Sequence, residues 1–193
     1  MESTNSTLEN EVKQGSKWSM RDLWHFVLLI VFVVLPIRYF VAQPFIVSGA
    51  SMDPTFADGQ YIIVDQLTYK FNNATRGDVI IFRYAGDTSK FFIKRIIGLP
   101  GETVKIAGNE IFIKKVGATE FEKLDEQDIT KDFSFTAEWT LLPDELFVMG
   151  DNRKNSLDSR YFGPIKKDTI IGRAFVRLLP LTTIDYLPGK LNL

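Results

Sequence analysis

The 193-residue sequence has no cysteine and a single histidine, His25. The lack of cysteine excludes thiol catalysis, disulfide bonds and thiolate zinc sites together. His25 lies inside a long apolar run, so a Ser-His-Asp mechanism has no suitable imidazole. Any catalytic serine in this chain must therefore depend on a base other than histidine. The formal net charge of −1 gives no reason to expect a nucleic-acid partner.

The apolar run predicts a membrane anchor. Residues 23–41 read LWHFVLLIVFVVLPIRYFV and contain one full charge, Arg38. As a helix with a rise of ~1.5 Å per residue, this run would span about 28 Å, close to the hydrocarbon thickness of a bilayer. Trp24 and Tyr39 lie near its ends, where interface aromatics are typical. We therefore expect a transmembrane helix at 23–41, preceded by a polar, disordered tail at 1–22.

The distribution of basic residues predicts the orientation of this anchor. Three basic residues precede the run, and after Arg38 the next one is Lys70. Because positive charge favours the cytoplasmic side, we expect a single-pass plasma-membrane protein with its N-terminus in the cytoplasm and residues 42–193 outside. A cleaved targeting peptide is one alternative, but no clean small-x-small site follows the run. A buried helix of a soluble protein is the other, and nineteen residues with one full charge argue against it.

Beyond the apolar run, the sequence predicts strands and turns with little helix. Short runs rich in apolar and β-branched residues recur without a helical period, at 61–64, 79–82, 91–97, 103–106, 110–113, 146–149 and 170–178. The Ala107-Gly108-Asn109 segment between two of them is a hairpin signal. We expect a mainly β fold, an antiparallel sheet or barrel-like domain. The segment at about 107–142 is more charged and less patterned, and indicates an inserted β subdomain or flap.

The first of three polar blocks, SGASMDPT at 48–55, contains a candidate nucleophile, Ser51. A serine hydroxyl attacks a carbonyl only when a base takes its proton. A sharp turn beside it would let a nearby N–H face the developing oxyanion, and Gly49 and Pro54 favour such a turn. The alternative is a polar turn that contains serines because turns commonly do. The block follows the apolar run closely, which would put Ser51 near the bilayer surface.

The second block contains a candidate base, Lys94, within FFIKRII at 91–97. A lysine in water has a pKa near ~10.4, and burial can lower it by several units. Strand alternation puts Phe92, Lys94 and Ile96 on one face, and Arg95 on the other, where an acid could pair with it. The alternative is an edge-strand lysine that guards against aggregation, and the strand alone leaves both interpretations open.

The third block, GDNRKNSLDSR at 150–160, follows the run at 146–149 as a turn. One interpretation is a solvated loop with ordinary ion pairs. The other is a platform for the site, in which a hydroxyl such as that of Ser156 hydrogen-bonds the neutral lysine amine while Asp–Arg pairs stabilise the loop.

These three blocks, together with RGDVIIF at 76–82, resemble in order and wording the conserved boxes of bacterial type I signal peptidases. The similarity runs from the apolar run to about Arg160, and the last block matches almost letter for letter. The single anchor and short length resemble the compact form usual in Gram-positive bacteria. The resemblance implies a membrane-anchored serine endopeptidase with a β-rich extracytoplasmic domain.

The resemblance also implies roles for individual residues. Ser51 matches the nucleophile of a Ser-Lys dyad, Lys94 its general base and Ser156 the serine that orients the lysine. Four further residues would organise the site through salt bridges: Asp158, Asp151, Arg95 and Arg160.

The oxyanion hole of the family uses the N–H of the nucleophile and, in some members, a serine hydroxyl two residues earlier. That earlier position is Gly49 here, so the second donor would be another backbone N–H or Ser48. No metal or organic cofactor is implied. The implied partners are signal peptides of exported preproteins, the lipid bilayer and, as a further candidate, the secretion translocon.

Three other functions compete with this interpretation. A self-cleaving repressor-type protease also uses Ser and Lys, but it would be soluble and carry a DNA-binding module, and this chain has neither feature. A maturation peptidase for a narrow substrate set, such as pilins, would use the same scaffold. An inactive membrane-anchored binding protein would not need both Ser51 and Lys94.

Overall fold

The computed structural model describes residues 19–36, 41–126, 129 and 133–191. The chain divides into two compact units, Met1–Phe40 and Val41–Leu193. In the first unit, helix α1 (Met20–Leu29) begins after Ser19, whose hydroxyl accepts from the N–H of Arg21, while the Asp22 carboxylate accepts from the N–H of Ser19 at 3.1 Å. This reciprocal capping satisfies N–H groups that the first turn leaves without helical partners.

The helix continues from α1 as a π-helix, Ile30–Val34. Among the residues described, no helix is both long enough and apolar enough to cross a membrane. Positions 37–40 of the predicted span and positions 1–18 of the predicted tail lie outside the described residues. The transmembrane helix at 23–41 therefore stays a prediction.

The second unit is mainly β, which confirms the mainly β part of the predicted fold class. Its strands are β1 (Ala42–Ile46), β2 (Tyr61–Asp65), β3 (Val79–Arg83), β4 (Phe91–Gly98), β5 (Thr103–Gly108), β6 (Glu110–Lys114), β7 (Glu122–Lys123), β8 (Phe135–Thr140), β9 (Glu145–Met149), β10 (Ile165–Lys166), β11 (Ile170–Leu179) and β12 (Asp185–Tyr186). Two short helices, α2 (Thr68–Phe71) and α3 (Ser159–Phe162), and two 3-10 turns, Lys167–Thr169 and Leu181–Thr183, connect them.

The strands form two antiparallel sheets. The larger has the order β1-β2-β11-β3-β4-β9-β10, with β12 added on β11, and the smaller has the order β7-β6-β5-β8. Strand β4 lies between β3 and β9, with Lys94 opposite Ile80 and Arg95 opposite Met149. The interpretation of Lys94 as an edge-strand lysine is therefore wrong.

The smaller sheet runs from Thr103 to Thr140 and packs on the larger one. Because successive side chains of a strand point to opposite faces, β9 serves two clusters. Its Phe147 and Met149 pack beneath the smaller sheet, whereas Val148 belongs to the cluster on the other face. This shared strand leads directly into the loop at 150–160, so the core of both sheets supports that loop.

Candidate active site

The turn that carries Ser51 lies between β1 and β2 and is held by the core. Met52 and Phe56 are fully buried in the cluster that also contains residues of β2 and β3. The Phe56 N–H donates to the Met52 carbonyl at 2.9 Å, and the Gly49 N–H donates to the Asp58 carboxylate at 2.7 Å. Gly49 has a positive φ of 86°, a conformation that few other residues adopt readily. The backbone on both sides of Ser51 is therefore constrained.

Lys94 and Ser51 lie within hydrogen-bonding distance of each other. Lys94 Nζ donates to Ser51 Oγ at 2.7 Å and to the Ile93 carbonyl at 2.9 Å. Lys94 is only 3% exposed, and this burial lowers its pKa to about 8, against the opposing effect of the negative charges on Asp158 and Asp151. Desolvation is the larger effect. The loss of hydration destabilises the charged amine more than its attraction to the two carboxylates stabilises it. Near neutral pH, a useful fraction of Lys94 can therefore act as a base.

A cavity of about 250 Å³ opens beside this pair. Both Ser51 and Lys94 line it, and its other walls are mostly apolar, including Phe45 of β1 and Leu157 of the 150–160 loop. Ser48 lines the same cavity. The apolar walls restrict water near the amine, which is consistent with the direction of its pKa shift.

The 150–160 loop contacts the backbone of the nucleophile turn directly. The Asn152 N–H donates to the Ser51 carbonyl at 3.1 Å, and the Asn152 side chain donates to the Ala50 carbonyl at 2.9 Å. Gly150 lies so close that an added Cβ would overlap the Ser51 carbonyl oxygen and the Ser156 hydroxyl. A glycine is therefore needed at position 150 for the two segments to approach.

Arg95 and Asp151 form a buried ion pair behind the site. Arg95 is 1% exposed, and its Nε donates to Asp151 Oδ1 at 2.8 Å while its Nη2 donates to Oδ2. The Thr55 hydroxyl, on the nucleophile turn, donates to Asp151 Oδ2 at 2.5 Å. Arg95 Nη1 also donates to the carbonyls of Gly77 and Gly189, so this one guanidinium joins four separate segments of the chain.

Asp158 and Arg160 form a second buried pair within the loop. Arg160 Nε and Nη2 donate to the two Asp158 oxygens, each at 2.8 Å. Asp158 also caps α3 and accepts from the Gly150 N–H at 3.0 Å. Since Asp151 and Asp158 are both fully buried, the interpretation of this block as an ordinary solvated loop is wrong.

The predicted role of Ser156, to orient the Lys94 amine through its hydroxyl, stays a prediction. Its hydroxyl is buried, and within the described ranges it has no hydrogen-bond partner. It packs against Gly150 rather than donating to Lys94.

Sequence reasoning missed several residues that this arrangement uses. Thr55 and Asn152 lie inside the sequence blocks, but a hydroxyl or an amide can hydrogen-bond many different groups, so the sequence does not predict their partners. Glu126, which accepts a hydrogen bond from Arg153 of the 150–160 loop at 2.7 Å, lies in the charged segment at about 107–142. Gly189 lies far from the three blocks in sequence, so no local pattern connects either residue to the site. In the part of the chain that the structure describes, no group of three or more Asp, Glu or His side chains is arranged to hold a metal ion.

Comparisons with known proteins add the following findings. A family described as "Signal peptidase, peptidase S26" matches residues 20–179. "Signal peptidase I" of Leptolyngbya laminosa is 36% identical over 168 residues, covering 82% of this chain and 79% of that protein. "Signal peptidase I V" of Bacillus subtilis is 35% identical over 164 residues, covering 79% of this chain and 96% of that protein. A crystal structure of a signal peptidase I from Enterococcus faecalis is 30% identical and covers 53% of this chain and 97% of that one, with a TM-score of 0.42.

Proposed function

This chain belongs to the peptidase S26 family of signal peptidases and is a serine endopeptidase of the bacterial type I class, and we propose that it removes signal peptides from exported preproteins with a Ser51–Lys94 dyad. The observation that carries this proposal is the 2.7 Å contact between Lys94 Nζ and Ser51 Oγ at a site where the lysine is 3% exposed. A buried amine with a lowered pKa and a hydroxyl in reach is what nucleophilic catalysis by serine requires when no histidine is available.

The proposed reaction begins with uncharged Lys94. Its Nζ takes the proton of Ser51 as Oγ attacks the carbonyl carbon of the scissile bond, and a tetrahedral intermediate forms with negative charge on oxygen. Among the described residues, no hydrogen bond engages the Ser51 N–H, so it is available as one oxyanion donor. The Gly49 N–H is committed to Asp58, which makes the Ser48 hydroxyl the better candidate for the second.

The intermediate then collapses and the peptide bond breaks. Protonated Lys94 gives its proton to the leaving amine, which departs as the new N-terminus of the mature protein, and an ester remains on Ser51. Lys94 next takes a proton from water as the water attacks this ester, and returns it to Ser51 Oγ when the signal peptide leaves as an acid. Lys94 acts as base and acid in turn, which is efficient when its pKa lies near the operating pH.

The edge of the larger sheet supports the proposed mode of substrate binding. Strand β1 is an edge strand of that sheet in the described part of the chain, and its Phe45 lines the cavity. An extended peptide can add its backbone to such an edge and direct alternate side chains to one face. The small, mostly apolar cavity suits small side chains at the first and third positions before the cut.

Membrane anchoring at 23–41 is part of the proposal. It is supported by the apolar composition of that run and by the basic residues that precede it. The N-terminus would lie in the cytoplasm, with the peptidase on the outer side of the plasma membrane, where preproteins emerge from the translocon. The nucleophile turn follows the run closely in sequence, which would keep Ser51 near the lipid surface.

Incubation of the full-length chain in detergent with a panel of preproteins is expected to give one cut in each, directly after a small residue, with another small residue two positions earlier. The cut is mapped by mass spectrometry of both products. A preprotein with a bulky residue before the cut is the matched control and is expected to remain intact. Cleavage restricted to one precursor class, such as pilins, would instead identify a dedicated maturation peptidase. Binding without any cleavage would favour the inactive binding protein.

The pH dependence of kcat/KM is expected to follow the titration of Lys94. Because the uncharged amine is the active form, kcat/KM should rise about tenfold per pH unit below the pKa and level off above about 8. Initial rates in buffers of constant ionic strength measure this profile. A rate that is flat from about pH 6 to 8, or that peaks below about pH 5, would exclude Lys94 as the base.

A further inference from the structure

A buried glutamate from the smaller-sheet segment reaches the back of the 150–160 loop. Glu126 is 3% exposed, and its two carboxylate oxygens accept from Arg153 Nη1 at 2.7 Å and from Arg153 Nη2 at 2.5 Å. The Phe133 ring lies 5.8 Å from the Arg153 guanidinium carbon and 5.2 Å from that of Arg160. The segment between β7 and β8 therefore contacts the loop through a bidentate ion pair and through an aromatic ring.

Arg153 also contacts the backbone of Gly150. Arg153 Nε donates to the Gly150 carbonyl at 2.9 Å, while the Gly150 N–H donates to Asp158 at 3.0 Å. Both polar groups of the Gly150 backbone are thus held by buried charged side chains. Gly150 packs closely against the nucleophile turn, because a Cβ added there would overlap the Ser51 carbonyl oxygen. The neighbouring Asn152 N–H donates to that same carbonyl at 3.1 Å.

We propose that Glu126 is a positioning residue, which holds Arg153 so that the loop keeps Ser51 Oγ aligned with Lys94. The inference rests on the proposed Ser51–Lys94 dyad. Without the Glu126 charge, the buried Arg153 guanidinium has no ion-pair partner among the described residues. A buried charge without a partner is unfavourable, so we expect the side chain to rotate toward solvent or water to enter beside it. The Gly150 carbonyl then loses its donor, and the contact between Asn152 and Ser51 loosens. A misplacement of about 1 Å between nucleophile and base is sufficient to slow the reaction strongly.

The location of the ion pair predicts which kinetic constant changes. Neither Glu126 nor Arg153 lines the cavity beside Ser51. Loss of the pair should therefore alter the alignment of the reacting groups and leave the contacts with bound peptide in place. The expected signature is a lower kcat with little change in KM.

The variant Glu126→Gln tests this inference, because it removes the charge and keeps the size of the side chain. We expect kcat per folded molecule for precursor cleavage to fall about tenfold, with KM within about twofold of the unaltered chain. The matched control is Glu122→Gln in the nearby strand β7, where the Glu122 side chain is 65% exposed and forms an ion pair with Lys115. This control is expected to retain full kcat, since exposed pairs contribute little.

A double-variant cycle and hydrogen exchange test whether loss of the Glu126 charge lowers kcat through Arg153 and the 150–160 loop. If Glu126 acts through Arg153, then Glu126→Gln combined with Arg153→Gln should lose no more kcat than Arg153→Gln alone. In Glu126→Gln, the amide hydrogens of Gly150 and Asn152 should exchange faster while those of β11 keep their protection. The exchange measurement needs no activity and therefore tests the positioning by itself.

The outcomes separate this inference from the function on which it rests. If the unaltered chain fails to cut any preprotein, the proposed function fails, whatever the exchange data show. If the unaltered chain cuts and Glu126→Gln matches it in kcat and in protection at Gly150 and Asn152, the positioning role is overturned. Faster exchange throughout Glu126→Gln, including β11, would also overturn it, because Glu126 would then support general stability only.

Discussion

Ser51→Ala is expected to lower kcat for precursor cleavage by at least about a thousandfold, with KM nearly unchanged. The alanine removes the only atom that forms the proposed ester, and it leaves the cavity and the edge strand intact for binding. Lys94→Met should cause a similar loss, because nucleophile and base act as one unit and neither works alone. For the same reason, the double variant should be no slower than either single one. Single-turnover cleavage with excess enzyme measures these losses.

The folding stability of the Lys94→Met variant distinguishes a chemical defect from a folding defect. The pKa of Lys94 falls from 10.5 to about 8 on folding, so the unfolded chain binds more protons between these values. The folded state of the unaltered chain therefore carries its full penalty below about pH 8 and loses it as the pH rises toward the unfolded value. Replacement by the apolar methionine should remove up to about 3 kcal/mol of that penalty at neutral pH. An inactive Lys94→Met chain that is at least as stable as the unaltered one would identify a chemical defect. Substantial activity in either Ser51→Ala or Lys94→Met would contradict the dyad.

Asp151→Ala is expected to lower the free energy of unfolding by about 3–5 kcal/mol, the range found when one partner of a buried ion pair is removed. Arg95 would keep its charge at 1% exposure without the carboxylate that accepts two of its N–H groups. The Thr55 hydroxyl would lose its acceptor as well, which releases the turn that carries Ser51. Denaturant titration followed by circular dichroism measures the loss of stability, and the folded fraction should also show reduced kcat.

The matched control for this variant is Asp144→Ala. Asp144 lies 3.9 Å from Lys166, and the two side chains are 58% and 63% exposed. Removal of this exposed pair should change the free energy of unfolding by less than about 1 kcal/mol. Equal stability of the two variants would mean that the Arg95–Asp151 pair does not stabilise the fold.

The longer strands were largely predictable from the sequence, but β1, β8 and the two-residue strands β7, β10 and β12 were not predicted. The predicted runs all lie in observed strands, because apolar and β-branched residues at short intervals favour a pleated, half-buried surface. Strand β1 was missed because Ala42–Ile46 follows the apolar run directly and contains Pro44, which only an edge strand tolerates well. Strand β8 was missed although its Phe135–Thr140 segment is rich in aromatic and threonine residues, because it lies in the charged segment that was interpreted as a flap, and only its pairing with β5 shows it to be part of a sheet.

The sequence by itself determined that histidine and cysteine chemistry is excluded, that Ser51 and Lys94 are the candidate pair, and that the domain is built of strands. These conclusions depend on residue identity and local order, which a linear sequence contains in full. Only the tertiary structure decided that Lys94 lies in a central strand and that Arg95 pairs with Asp151. It alone brought Glu126 and Gly189 to the site from distant segments. The physical reason is that burial and ion pairing depend on which strands become neighbours, and that choice is made by the packing of the whole chain.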